Sequence, residues 1–199
     1  MSQTTLTKSG RHLVLIGYRG SGKTSIGKLV ARLLGMEYVD TDIQIQERAG
    51  CSIREIFADQ GEEAFRDLET RALADLLASK ELPPTLIATG GGIIMRPENR
   101  EMIKKMGMVI WLAVSPEVAT ARITADSFSD EQRPPLSDQS LAEEVERMIA
   151  LRTPLYSELA DVHVANDSAR LSTDAVAEAV IEMLRQTDWY IAFEKRLDS

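Results

Sequence analysis

Eight consecutive residues constrain this chain more than any others: Gly17-Tyr18-Arg19-Gly20-Ser21-Gly22-Lys23-Thr24. They match G-x-x-x-x-G-K-[ST], a loop that wraps phosphate groups. Its glycines let the backbone curl with N–H groups facing inward and no side chain in the way. A helix starting on the loop adds the positive end of its dipole. Lys23 can bridge outer phosphates, and the Thr24 hydroxyl can ligate Mg²⁺. The flanks fit this reading. His12-Leu13-Val14-Leu15-Ile16 is an apolar, strand-like run, and Ile26, Leu29, Val30, Leu33 and Leu34 then recur at helical spacing. A glycine turn that merely resembled the pattern would not need both flanks.

The 199 residues suffice for one domain with a full core. A net charge of −8 and a pI of about 4.9 argue against non-specific nucleic-acid binding, which relies on Lys and Arg. They point instead to a small-molecule ligand met by locally gathered basic residues. No apolar run reaches the length of a membrane span. The first ten residues are polar, lack the apolar stretch of a signal peptide, and read as a disordered tail. The single cysteine, Cys51, allows no internal disulfide, leaves no Cys-rich zinc site and fits a reducing, cytoplasmic setting. Cys51, His12 and His163 read as structural residues rather than chemical ones.

In chain order, a helix ends near Leu34, with Gly35 suited to its left-handed C-cap. Residues 37–42 form a short strand with acids at its exit, and helical patterning follows to Gly50. Ser52 and Glu55 have capping-box spacing for a helix over 53–58. Gly61 breaks it, and a longer helix runs over about 62–79. Strands are expected over 86–89, 108–112 and 161–165, with helices over 97–105, 116–125, 140–151 and 173–185. Residues 126–138 lack apolar periodicity and read as a mobile loop. Five apolar strands alternating with helices predict an α/β domain with a parallel sheet covered on both faces. The segmentation is a tail over 1–10, one domain over 11–186 and a C-terminal tail over 187–199. Trp189, Tyr190, Ile191 and Phe193 in that last tail call for burial, on the domain or on a partner.

Asp40 and Asp42 are the first candidates for chemistry. On an extended segment they face the same way with Cα atoms roughly 7 Å apart. At an effective dielectric of 20 their repulsion is about 2 kcal/mol. A surface pair tolerates this, whereas a buried pair needs a cation such as the one that accompanies ATP. One Asp can then serve the Mg²⁺ shell and the other a substrate hydroxyl as general base. The alternative is a solvated helix N-terminus, where Asp is common. Gly90-Gly91-Gly92 follows a strand at the edge where open α/β sheets bind ligands, and reads equally as a flexible turn. Arg66, Arg133 and Arg152 are each surface arginines or clamps for a carboxylate or phosphate.

Together these residues resemble the shikimate kinases. The elements fall in family order over about three quarters of the chain, from Leu13 to Val164. They are the loop at Gly17 to Thr24, Asp40-Thr41-Asp42, Gly61-Glu62 with Phe65-Arg66, the triple glycine, Arg133-Pro134, and Arg152-Thr153-Pro154-Leu155-Tyr156. The loop alone is shared with many families; the combination is specific. The resemblance implies a single P-loop kinase domain with a five-stranded parallel sheet and a mobile lid over about 126–138. It implies transfer of the ATP γ-phosphate to the 3-hydroxyl of shikimate in aromatic (chorismate) biosynthesis, by a monomer in the cytoplasm.

It assigns Asp42, Lys23 and Arg133 to catalysis, with Asp42 as base. It assigns Gly20, Ser21, Gly22, Lys23, Thr24, Ser25, Arg122 and Arg133 to ATP. Asp42, Arg66, Gly90, Gly91, Gly92 and Arg152 would bind shikimate, the two arginines through its carboxylate. Thr24 would ligate Mg²⁺ directly and Asp40 through water. The stretch between Arg122 and Arg133 is longer than usual in the family, and no adenine-side basic residue stands out from Asp167 to Arg170. A gluconate-kinase-like enzyme would differ at the acceptor residues. A regulatory nucleotide switch would carry an N-K-x-D motif or would have lost Lys23 or Asp42.

Overall fold

In the computed structural model, the described residues are 10–125, 140–167 and 172–197. The lid stretch, Arg133 and the segment from 168 to 171 lie outside them.

The central sheet has five parallel strands in the order β2-β3-β1-β4-β5. They are β1 (His12–Ile16), β2 (Glu37–Asp40), β3 (Thr85–Ala88), β4 (Gly107–Ala113) and β5 (Val162–Ala165). In the centre, β1 registers Leu13 against Leu86 on one side and Met108 on the other. Alternation along β1 sends its side chains to opposite faces. Leu13 and Leu15 join one core cluster with α1 (Lys23–Leu34) and α7 (Thr173–Arg185). Val14 and Ile16 join another, with α3 (Ile53–Ala78), α4 (Pro97–Met106) and α6 (Leu141–Leu159). Burial on both faces is why β1, β3 and β4 read as continuous apolar runs.

The helix ends follow their sequence signals. Gly35 caps α1 in the left-handed conformation, and Ser52 and Ser140 form capping boxes with Glu55 and Glu143. Gly61 breaks the regularity of α3 with φ 83° and ψ 175°, and the chain resumes the helix directly.

Two expectations need correction. β2 stops at Asp40, which becomes the N-cap of α2 (Thr41–Ala49); Asp42 therefore sits in a helical first turn, not on an extended segment. And α6 does not stop near Leu151 but runs through Pro154 to Leu159. An interior proline costs roughly 3 kcal/mol. Packing offsets that cost, because Met148, Arg152, Tyr156 and Leu159 stack at helical spacing on one buried face.

The apolar C-terminal residues fold as α8 (Asp188–Leu197) and pack on the domain itself. Trp189, Tyr190 and Phe193 enter the α1/α7 cluster, and the Trp189 indole N–H donates to the Gly10 carbonyl at 2.8 Å. No described helix is long and apolar enough to cross a membrane.

Candidate active site

The C-terminal ends of the strands converge on one edge. β1 leads into the glycine loop, β2 into Asp40-Thr41-Asp42, β3 into the triple glycine and β5 into Asn166. This is the edge where open parallel sheets bind ligands.

The loop adopts a conformation that its glycines permit. Gly20 and Gly22 have φ of 77° and 90°, and Gly22 is the N-cap of α1. Ser21 is fully buried, and its N–H closes a turn on the Tyr18 carbonyl at 3.1 Å. Lys23 folds back over the loop, donating to the carbonyls of Gly17 and Tyr18 at 2.9 Å each. Thr24 and Ser25 are exposed on the first turn of the helix.

The Thr24 hydroxyl donates to Asp40 Oδ2 at 3.3 Å, and the Tyr38 hydroxyl donates to the same oxygen at 3.2 Å. The other oxygen, Oδ1, caps α2 through the N–H groups of Asp42 and Ile43. Burial, and next the charge of Asp42, push the Asp40 carboxyl above the usual carboxylate range; Lys23 acts in the opposite sense. Burial likewise raises the Tyr38 phenol, with Asp40 adding to it. A hydroxyl and a carboxylate at this spacing are hard oxygen donors, and a cation would relieve the Asp40–Asp42 repulsion. Among the described residues no three His, Cys, Asp or Glu side chains form a metal cage. One hydroxyl and one carboxylate suit Mg²⁺, which keeps several waters and shares its shell with phosphates.

The triple glycine lies at the centre. Gly90 lies against Asp42: a Cβ there would stand 2.5 Å from Asp42 Oδ1. Gly91 lies against the loop, its hypothetical Cβ 3.3 Å from the Gly17 carbonyl oxygen. Its own carbonyl accepts from Arg152 Nη1 at 3.1 Å and from the Tyr156 hydroxyl at 2.6 Å. Gly92 lies against Arg66, where a Cβ would be 2.5 Å from Nη1. The glycines thus bring the base candidate, the phosphate loop and both buried arginines to one place.

Arg66 and Arg152 are 8% and 6% exposed, which removes them from the class of surface arginines. Arg66 Nη1 meets Glu69 Oε2 at 2.6 Å, and Nη2 meets Glu62 Oε1 at 2.8 Å. Burial pulls the Arg66 pKa down, but Glu69 and then Glu62 more than offset this, so the guanidinium is held charged. The Arg152 guanidinium stands over the Tyr18 ring at 5.5 Å, and its buried Nε has no hydrogen-bond partner among the described residues. Arg122 Nη1 donates to the Gly20 carbonyl at 3.0 Å.

Four residues that shape the site were not picked out from the sequence for that work. Glu69 is fully buried and could have been found as an acid at i+3 from Arg66. Asn166, one residue past β5, bonds both the loop and Arg122. Tyr38 supports Asp40, and Tyr156 shares the Gly91 carbonyl with Arg152.

A family model described as shikimate kinase matches residues 19–185. The shikimate kinase of Rhodopirellula baltica is 40% identical over 172 residues, 86% of this chain and 89% of that protein. That of Syntrophus aciditrophicus is 38% identical over 191 residues, 92% and 94% of the two chains. Among solved structures, shikimate kinase from Acinetobacter baumannii in complex with shikimate superposes with a TM-score of 0.79 at 30% identity, covering 89% of this chain and 94% of that one. Shikimate kinase from Bacteroides thetaiotaomicron gives 0.76 at 29% identity, covering 87% and 98%. With the family model spanning most of its length and relatives near 40% identity along nearly all of theirs, this chain belongs to the shikimate kinase family.

Proposed function

We propose that this chain is a shikimate kinase, transferring the γ-phosphoryl group of ATP to the 3-hydroxyl of shikimate to give shikimate 3-phosphate and ADP. The observation that carries the reading is the triple glycine in contact with Asp42, the phosphate loop, Arg66 and Arg152 at once. A polyhydroxylated acid needs that combination: an anion clamp, a base and a neighbouring phosphate donor.

The loop from Gly20 to Ser25 cradles the ATP phosphates with backbone N–H groups and the α1 N-terminus. Lys23 exchanges the Gly17 and Tyr18 carbonyls for phosphate oxygens and offsets charge on the transferring group. Thr24, and Asp40 through water, would hold Mg²⁺, which would supply positive charge to offset that of the ATP phosphates. Arg66 and Arg152 grip the shikimate carboxylate through charge-assisted hydrogen bonds. Gly90, Gly91 and Gly92 let the ring approach the backbone. Asp42 takes the proton from the attacking hydroxyl. Arg122 reaches the nucleotide from the loop side. Arg133, which the resemblance assigns to catalysis and to ATP, lies outside the described residues. The proposal extends the family resemblance to a monomer acting in the cytoplasm.

The test is product identity. Incubation with MgATP and shikimate should yield a monophosphate ester whose NMR coupling places phosphorus at the 3-oxygen. Phosphate at another oxygen, or none transferred, would refute the assignment.

A further inference from the structure

The P-loop is held from behind by a side chain that belongs neither to the loop nor to its helix. Asn166, at the exit of β5, is 4% exposed. Its Nδ2 donates to the Ser21 carbonyl at 3.0 Å, and its Oδ1 accepts from Arg122 Nη2 at 3.2 Å. Arg122 Nη1 in turn donates to the Gly20 carbonyl at 3.0 Å. The amide can be oriented only one way, because a carbonyl needs a donor and a guanidinium needs an acceptor. Its backbone is anchored as well. The Asn166 N–H donates to the Ala113 carbonyl at 2.8 Å, and neighbouring Asp167 accepts from the Ser115 N–H.

The consequence lies in peptide geometry. A trans peptide is planar, with its C=O and N–H pointing in opposite directions. Holding the Ser21 oxygen toward Asn166 therefore aims the Gly22 N–H the other way. Holding the Gly20 oxygen toward Arg122 likewise aims the Ser21 N–H, which closes the turn on Tyr18. The loop carbonyls would repel phosphate oxygens, so these bonds keep that repulsion out of the anion site.

We propose that Asn166 is a positioning residue for nucleotide binding: with Arg122 it turns the Gly20 and Ser21 carbonyls outward and pre-organises the loop to receive phosphate. The inference rests on the nucleotide half of the proposed function and is independent of the acceptor.

The probe is MgADP, titrated calorimetrically into wild type and into N166S, N166A and N166D, alongside KM values for MgATP and shikimate. Loss of one neutral and one charge-assisted hydrogen bond predicts MgADP binding weaker by roughly 30-fold or more in N166A. N166S keeps a hydroxyl donor and should fall between wild type and N166A. N166D keeps the Arg122 pair but sets a carboxylate oxygen against the Ser21 carbonyl, so it should bind more weakly than N166A. Shikimate KM should stay within about twofold, a split that general loosening of the fold would not produce. If N166D does not fold, the order of wild type, N166S and N166A decides. Variants binding MgADP as wild type does, or losing both substrates equally, would overturn the role of Asn166. A wild type that binds no MgADP would instead overturn the nucleotide reading itself.

Discussion

Arg66 is held by Glu69, a carboxylate with no exposed surface: Nη1 lies 2.6 Å from Oε2. Removing one partner of a buried ion pair leaves the other uncompensated, at a cost of about 3–5 kcal/mol. Glu69→Gln keeps the shape and removes the charge. It should raise shikimate KM about tenfold or more, because the clamp loses its orientation, and leave MgATP KM within about twofold. Steady-state kinetics with each substrate varied checks this. Equal effects on both KM values would reduce Glu69 to a fold residue.

The clamp itself is tested at Arg66 and Arg152. Each charge-assisted hydrogen bond to a carboxylate contributes about 1.5–3 kcal/mol, so Arg66→Ala or Arg152→Ala should raise shikimate KM roughly 10- to 150-fold. Gly92→Ala should act in the same direction without touching a charge, since its methyl would press on Arg66 Nη1. Unchanged shikimate KM in all three variants would remove the clamp.

At Asp42, replacement by Asn should lower kcat roughly 10²- to 10⁴-fold, the range for a lost general base. MgADP binding by calorimetry should remain within a few-fold of wild type. Equal loss of turnover and nucleotide binding would contradict base duty.

The pH dependence of stability should carry a contribution from His12. The ring is buried on β1, and its Nδ1 accepts from the Thr85 N–H at 3.2 Å. Burial, with Arg11 adding, lowers its pKa in the folded state. The unfolded chain therefore binds more protons between that lowered value and the ordinary histidine value of about 6.5. The contribution is full above pH 6.5 or so and is lost as pH falls through the folded value. His12→Gln should flatten this part of the stability curve, measured by urea unfolding from pH 7 to 5. An unchanged slope would contradict the assignment.

Much of the site was legible because its parts are short motifs whose spacing chemistry dictates. The loop, the Asp pair, the triple glycine and the two arginines all reach the strand edge that the sequence points to. Asp40 and Asp42 sit at a helix N-terminus, a place where Asp is common. What the sequence hid depends on contacts between distant segments. Glu69 reads as one acid among several on α3 until packing buries it. Asn166 lies 145 residues from the loop carbonyl it holds. Pro154 reads as a stop, and only burial of Arg152 and Tyr156 explains why α6 continues through it. The aromatic C-terminus demanded burial, but which surface supplies it, α1 and α7, is a property of the assembled layers.

The most direct test of the central claim is ADP release from MgATP, measured without acceptor and with shikimate, quinate or gluconate. Shikimate should stimulate release strongly and the other two only a little. Stimulation by quinate or gluconate in place of shikimate, or none by any of the three while ATP still binds, would contradict that claim.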